Sequence, residues 1–289
     1  MTRFIDFSSK PPTPAFQDGA GHMAHYEQVY DSTKSATRKP DQAADAALAA
    51  YLDTYERLGA RHVILRGRDL RSSFGTHVSN ESVAAFCREH GPRFIGFAGV
   101  DPARGMAAVR DLEHAVRELG MKGLNLPCFE LKIAINDARL YPLYAKCIEL
   151  DIPVALHCGV NFAPQAPIRN SHPMLLDEVM VHFPELRVLA GPPGWPWIND
   201  LIAVAWRHAN VHIGLMAVRP RYLDVPNSGY ESLLQYGSTV LKDRIIVGSA
   251  FPLMSVEQAL ADVEALPLSE PIRQKWLHDN AARFLRLDD

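Results

Sequence analysis

Short apolar, β-branched runs recur along the chain, with helical patterns between them. The runs are Arg3–Phe7, His62–Leu65, Phe94–Val100, Gly123–Leu126, Pro153–His157, Arg187–Ala190, Val211–Gly214 and Ile245–Val247. The helical stretches are Asp41–Leu58, Ser79–His90, Leu140–Leu150, Pro173–His182, Ile198–His208, Ser232–Leu241, Val256–Leu266 and Pro271–Leu285. Two of them stop at a glycine, Gly59 and Gly91, in the position of a C-cap. Short strands alternating with helices read as βαβ units and a parallel sheet. Eight such units in 289 residues fit a (β/α)8 TIM barrel in the α/β class, forming one domain over residues 1–289. The other parallel-sheet solution, a doubly wound open sheet, lacks its GxGxxG after the first strand. The segment from Ser8 to Lys39 is irregular and rich in Pro and Gly. On a barrel it is expected over the C-terminal mouth, where active sites form.

Composition narrows the partners. With 47% hydrophobic and 22% charged residues and a net charge of −3, the chain is neither disordered nor a basic nucleic-acid binder. No apolar run approaches the ~18–20 residues that cross a bilayer. The N-terminus has no signal-peptide pattern. Cys87, Cys128, Cys147 and Cys158 form no CxxC pair and read as buried thiols of a cytoplasmic protein.

On a barrel the chemistry comes from the C-terminal tips of the strands. The groups there that hold charge or titrate near neutrality are Lys10, Arg66, Asp101, His157 and Cys158. Strand alternation puts His157 and Cys158 on opposite faces, so Cys158 is expected in the core.

Several phrases, in order, resemble the amidohydrolase-related family, in the branch of α-amino-β-carboxymuconate-semialdehyde decarboxylase and γ-resorcylate decarboxylase. They are RFIGFAGVDPARG (93–105), GMKGLNL (120–126), LYPLYAKCIELDIPVALHCG (140–159), FPELRVLAG (183–191), GWPW (194–197), IIVGSAFP (245–252) and NAARFL (280–285). The resemblance implies a barrel with a divalent metal. Its ligands are an HxH after the first strand, a His ending the fifth and an Asp ending the eighth, and a further His after the sixth strand assists catalysis. Of these, this sequence keeps His157. The HxH positions are Ser8 and Lys10, the sixth-strand His position is Pro192, and the Asp position is Ala250. A catalytic zinc takes about three protein ligands and an open position. The expectation is therefore a site with no metal and no cofactor.

Lys10 has two readings. Its ammonium fills the place of the missing cation, attracting a carboxylate or an oxyanion, or it points to solvent from a Pro-rich loop. His157 is a general acid or base facing the pocket, or a core ring. Ser8 becomes a nucleophile only with His157 as its base. Arg66 and Arg219, with Arg68 and Arg221 beside them, have the guanidinium geometry that grips carboxylates. Asp101, Asn125 and Trp195 complete the candidate substrate-binding set. His22 and His25 sit in the long loop, one of them within reach of the site if the loop is a lid. The expected function is metal-independent hydrolysis of a lactone or ester, or decarboxylation, of a small acidic or aromatic compound. The alternative is a non-catalytic subunit pairing with an active amidohydrolase paralogue. An ordinary zinc hydrolase or decarboxylase ranks last. The expected partners are a small-molecule substrate and copies of itself or a paralogue in an oligomer, with no nucleic acid and no membrane.

Overall fold

A computed structural model describes residues 3–17, 25–26, 28–29 and 44–287. Eight parallel strands form one sheet: β1 Phe4–Ser9, β2 Ala60–Arg66, β3 Phe94–Gly99, β4 Leu124–Leu126, β5 Val154–His157, β6 Val188–Gly191, β7 Val211–Leu215 and β8 Ile245–Val247. Each coincides with a run read from the sequence, and neighbours in sequence are neighbours in the sheet, the order a (β/α)8 barrel requires. The sheet closes where Ser9 bridges Phe251 in parallel and the Lys10 amide donates to the Phe251 carbonyl at 3.0 Å. Asp6 locks the same seam. Its carboxylate accepts from the Ser249 amide (2.7 Å), the Ser249 hydroxyl (2.5 Å) and the Tyr55 hydroxyl (2.6 Å). Burial nonetheless raises its pKa above the ordinary carboxylate range.

The helices are α1 Ala44–Leu58, α2 Asn80–His90, α3 Met106–Arg117, α4 Tyr141–Glu149, α5 Pro173–His182, α6 Ile198–Arg207, α7 Glu231–Gly237 and α8 Val256–Glu264. The chain ends in a continuous helical stretch, Glu270–Gln274, a π-turn Lys275–Asp279, and Asn280–Leu285. The residues 41–43 expected to start the first helix lie outside the described residues. Two elements are absent from the sequence reading. Helix α3 has no start signal, because Gly105 stands at its N-cap and no side chain caps it. A short antiparallel hairpin, Arg68–Leu70 with Thr76–Val78, follows β2 and turns through Arg71–Phe74.

Strand alternation divides the core in two. Val63 and Leu65, Leu124 and Leu126, and Val154 and Leu156 belong to the outer cluster that packs sheet against helices. Ile64, Ala155, Leu189 and Ile246 belong to an inner cluster with Phe7 and Phe97, whose rings meet edge-on at 5.5 Å. Phe284, Ala281 and Leu285 of the terminal helix join this inner cluster, and Phe284 packs on Phe7 and on His212 of β7. They plug the base of the barrel. The same alternation turns Arg66, Asn125 and His157 inward at the opposite end. No helix among the described residues is long and apolar enough to cross a membrane.

Candidate active site at the barrel mouth

Arg66 ends β2 inside the barrel. Its Nη2 donates to the Phe7 carbonyl of β1 at 2.9 Å and to Met216 Sδ, just beyond β7, at 3.3 Å. Its Nε is buried without a partner, and no carboxylate pairs with it among the described residues. Burial, with the charge of Arg68 nearby, pushes this guanidinium down to about 10 while the carboxylate of Asp6 pulls the other way. It stays cationic at neutral pH. A cation held by one carbonyl and one thioether, a weak acceptor, is poorly compensated.

His157 stands across the mouth at the end of β5. Its Nδ1 lies 3.0 Å from Ser171 Oγ, and its ring packs on Phe129 with centroids 4.2 Å apart. Burial first, and then the positive charge of Arg66, push it down to about 3. The imidazole is neutral at physiological pH. Asn125 of β4 donates from Nδ2 to the Gly67 carbonyl at 3.1 Å, fixing the turn that follows Arg66. Above them, Tyr26 of the long first loop packs on Phe129 and on Phe162, at 5.8 and 5.3 Å, with Ala163 and Ala166 alongside. Next to this aromatic wall Arg68 pairs with the buried Glu130, whose carboxylate neutralises it.

The structure sets the residues singled out from sequence in different surroundings. The cation whose charge bears on His157 is Arg66, on an interior strand position, whereas Lys10 lies half-buried after β1 at the closing seam. Ser8 is not hydrogen-bonded to His157. The imidazole's partner is Ser171, and the Ser8 amide donates to Asp6 at 3.2 Å. Without a base in contact, Ser8 has no activated hydroxyl. Asp101 is buried as the cap of a 3-10 turn and accepts from the amides of Ala103 and Ser72, both at 3.0 Å, so its carboxylate is taken up by backbone. Arg219 is likewise spent. Its Nε and Nη2 bind the buried Asp262 of α8, each at 2.9 Å, in a part-buried bidentate pair. Trp195 is 41% exposed, and Trp197 packs on His172. Cys158 is buried in the outer cluster, as alternation predicts, and burial pushes its thiol up. His25 is exposed, and His22 lies outside the described residues. Met216, Phe129 and Ser171 were not singled out from sequence. Continuing the inward alternation of β7 past Gly214 points to Met216, but nothing local marks the other two.

The family profile described as Amidohydrolase matches residues 34–287. The chain belongs to the amidohydrolase family. Among its curated relatives is the γ-resorcylate decarboxylase of Rhodococcus jostii, 26% identical over 257 aligned residues, 73% of this chain and 76% of the relative. Among solved structures, an uncharacterized TIM-barrel protein from Bordetella bronchiseptica superposes with a TM-score of 0.84 at 27% identity, covering 98% of both chains. The 2,6-dihydroxybenzoate decarboxylase from Rhizobium shares the fold at a TM-score of 0.69 and 17% identity, covering 100% of both chains.

The divalent ion implied for an amidohydrolase does not fit the described residues. No group of three His, Cys, Asp or Glu side chains converges among them. Ser8, in β1, and Ala250, beyond β8, offer a hydroxyl and a methyl, neither of them a strong ligand for a divalent ion. The guanidinium beside His157 repels a second cation.

Proposed function

We propose that this amidohydrolase is a carbon–carbon lyase of the decarboxylase type, acting on a small aromatic carboxylate. The observation that carries the reading is a poorly compensated guanidinium, Arg66, at the inner end of a mouth walled by aromatic rings. A planar, anionic, aromatic compound satisfies both features at once. The names of the curated relatives, γ-resorcylate decarboxylases, favour loss of CO2 over the hydrolysis that the same groups could support.

The reaction breaks the bond between the ring and the carboxylate. CO2 departs, the electron pair stays on the ring carbon, and a proton from solvent forms the new C–H bond. Arg66 stabilises the negative charge carried by the substrate's oxygens as the bond breaks, most strongly because the site is poorly hydrated. His157, neutral and held by Ser171, hydrogen-bonds the water that brings the proton. Phe129 and its aromatic neighbours exclude bulk water from the ring.

The test is CO2 release from a panel of hydroxylated benzoates, beginning with 2,6-dihydroxybenzoate. Turnover is expected, and Arg66→Met is expected to lower kcat/KM by about 100-fold or more, the loss seen when one preorganised charge-stabilising donor is removed. Absence of CO2 release from the whole panel sinks the lyase. That outcome favours the second reading, a non-catalytic amidohydrolase that binds the same anion and pairs with an active paralogue. The observation on that side is the depressed basicity of His157, which leaves little general-base power. Co-purification of a second amidohydrolase-like chain is its signature.

A further inference from the structure

The seat of Arg66 is built by glycines. A Cβ on Gly214 would stand 2.7 Å from Met216 Cε, and one on Gly191 would stand 3.3 Å from Met216 Sδ. Two adjacent strands thus keep bare backbone where Met216 lies across them. Met216 is 4% exposed and joins the inner barrel cluster. Its sulfur and the Phe7 carbonyl take up both N–H groups of Nη2. Nε is buried too deeply to meet a ligand. Nη1 makes no hydrogen bond among the described residues. The side-on fork of Nε and Nη2, which Arg219 uses on Asp262, is therefore closed on Arg66.

We propose that Arg66 is the resident cation of this barrel mouth and that Met216 is a positioning residue, which commits Nη2 and leaves Nη1 alone to meet one oxygen of an anionic substrate. The proposal rests on the reading of the mouth as the substrate site and deepens it. Selectivity follows from donor geometry. A single nitrogen favours a single-oxygen anion such as a phenolate, whereas a two-nitrogen fork favours a carboxylate engaged through both oxygens. The same fixed charge disfavours divalent cations. In the substrate, Arg66 therefore meets a phenolate oxygen beside the departing group or one carboxylate oxygen, and the other carboxylate oxygen is left loosely held. A loosely held carboxylate suits its loss as CO2.

The experiment is isothermal titration of the full chain with benzoate, with 4-nitrophenolate in mildly alkaline buffer, and with MnCl2 alone. These titrations need no turnover, so failure of the lyase reading and failure of this one are separable. Wild type is expected to bind both anions and to take up no stoichiometric manganese. Arg66→Met is expected to weaken both anions about 10- to 100-fold, the worth of a hydrogen bond to a charged group. Met216→Leu keeps the volume and removes the acceptor, freeing one N–H of Nη2. The affinity ratio of benzoate to 4-nitrophenolate is expected to rise roughly 5-fold in that variant. General loosening of the mouth would weaken both anions alike and leave the ratio unchanged, which rejects the role of Met216. Undiminished binding by Arg66→Met, or manganese bound one to one by wild type, overturns the resident cation. Urea midpoints measured on both variants establish that each is folded before its titration is read.

Discussion

At the scale of the residue, Arg66 is a charge that is costly to bury. Its guanidinium is desolvated, lacks a carboxylate partner among the described residues, and has an orphaned Nε. Removing a poorly compensated buried charge commonly stabilises a fold. Arg66→Met is therefore expected to raise the unfolding free energy by about 1–2 kcal/mol, net of the lost bond to Phe7. Urea denaturation of the ligand-free protein checks this, and a lower midpoint would contradict it. The sequence named Arg66 among several strand-tip cations but favoured Lys10, because the resemblance to the family set Lys10 at a metal-ligand position. What separates them is alternation along β2, which turns Arg66 inward, and the acceptors Phe7 and Met216, which are remote in sequence. Arg219 and Asp101 looked equally available in the sequence. Their carboxylate and amide partners lie on other elements or in a local turn, so only folding reveals that they are occupied.

At the scale of the element, those two residues hold the loops behind the mouth. Arg219 ties the connection after β7 to α8 through Asp262, which Gln258 also supports at 2.7 Å. Arg219→Met leaves Asp262 buried and half-paired, and is expected to cost about 3 kcal/mol of stability. CO2 release per folded molecule should stay within a factor of two or so, since Arg219 does not reach the proposed substrate. A selective collapse of turnover with stability intact would return Arg219 to the binding set. Gly99 explains another constraint. A Cβ there would meet the Gly67 carbonyl carbon at 2.3 Å and the Arg68 amide at 2.4 Å, so the end of β3 presses on the backbone that follows Arg66. The strands and most helices were legible in sequence because their apolar periodicity and glycine stops are local. Helix α3 and the Arg68–Val78 hairpin were not. The first lacks a capping side chain. The second is a pair of three-residue strands, too short to carry a period.

At the scale of the whole molecule, the barrel is wet-chemistry capable at one end and sealed at the other. His212 belongs to the sealed end, 8% exposed and against Phe284, with its Nδ1 unpartnered. Burial, followed by the charge of Arg244, pushes it from the usual 6.5 down to about 3. The unfolded chain therefore binds this proton before the folded one does. The stability contributed is fully present above about pH 6.5 and is lost as pH falls towards 3, at about 1.4 kcal/mol per pH unit. His157 adds the same sign, and Asp6, with its raised pKa, opposes it at the acid end. His212→Leu is expected to flatten the acid slope by close to one proton, read from urea midpoints between pH 6 and pH 4; an unchanged slope would show that His212 does not carry it. Two levels of information meet here. Local periodicity along the chain determined eight strands, their order and a barrel with its chemistry at the strand tips, because each unit signals itself within about 30 residues. Which tip residues are left available was decided by tertiary structure alone, since a side chain becomes available or spent only when distant partners such as Met216, Ser171 and Asp262 arrive beside it.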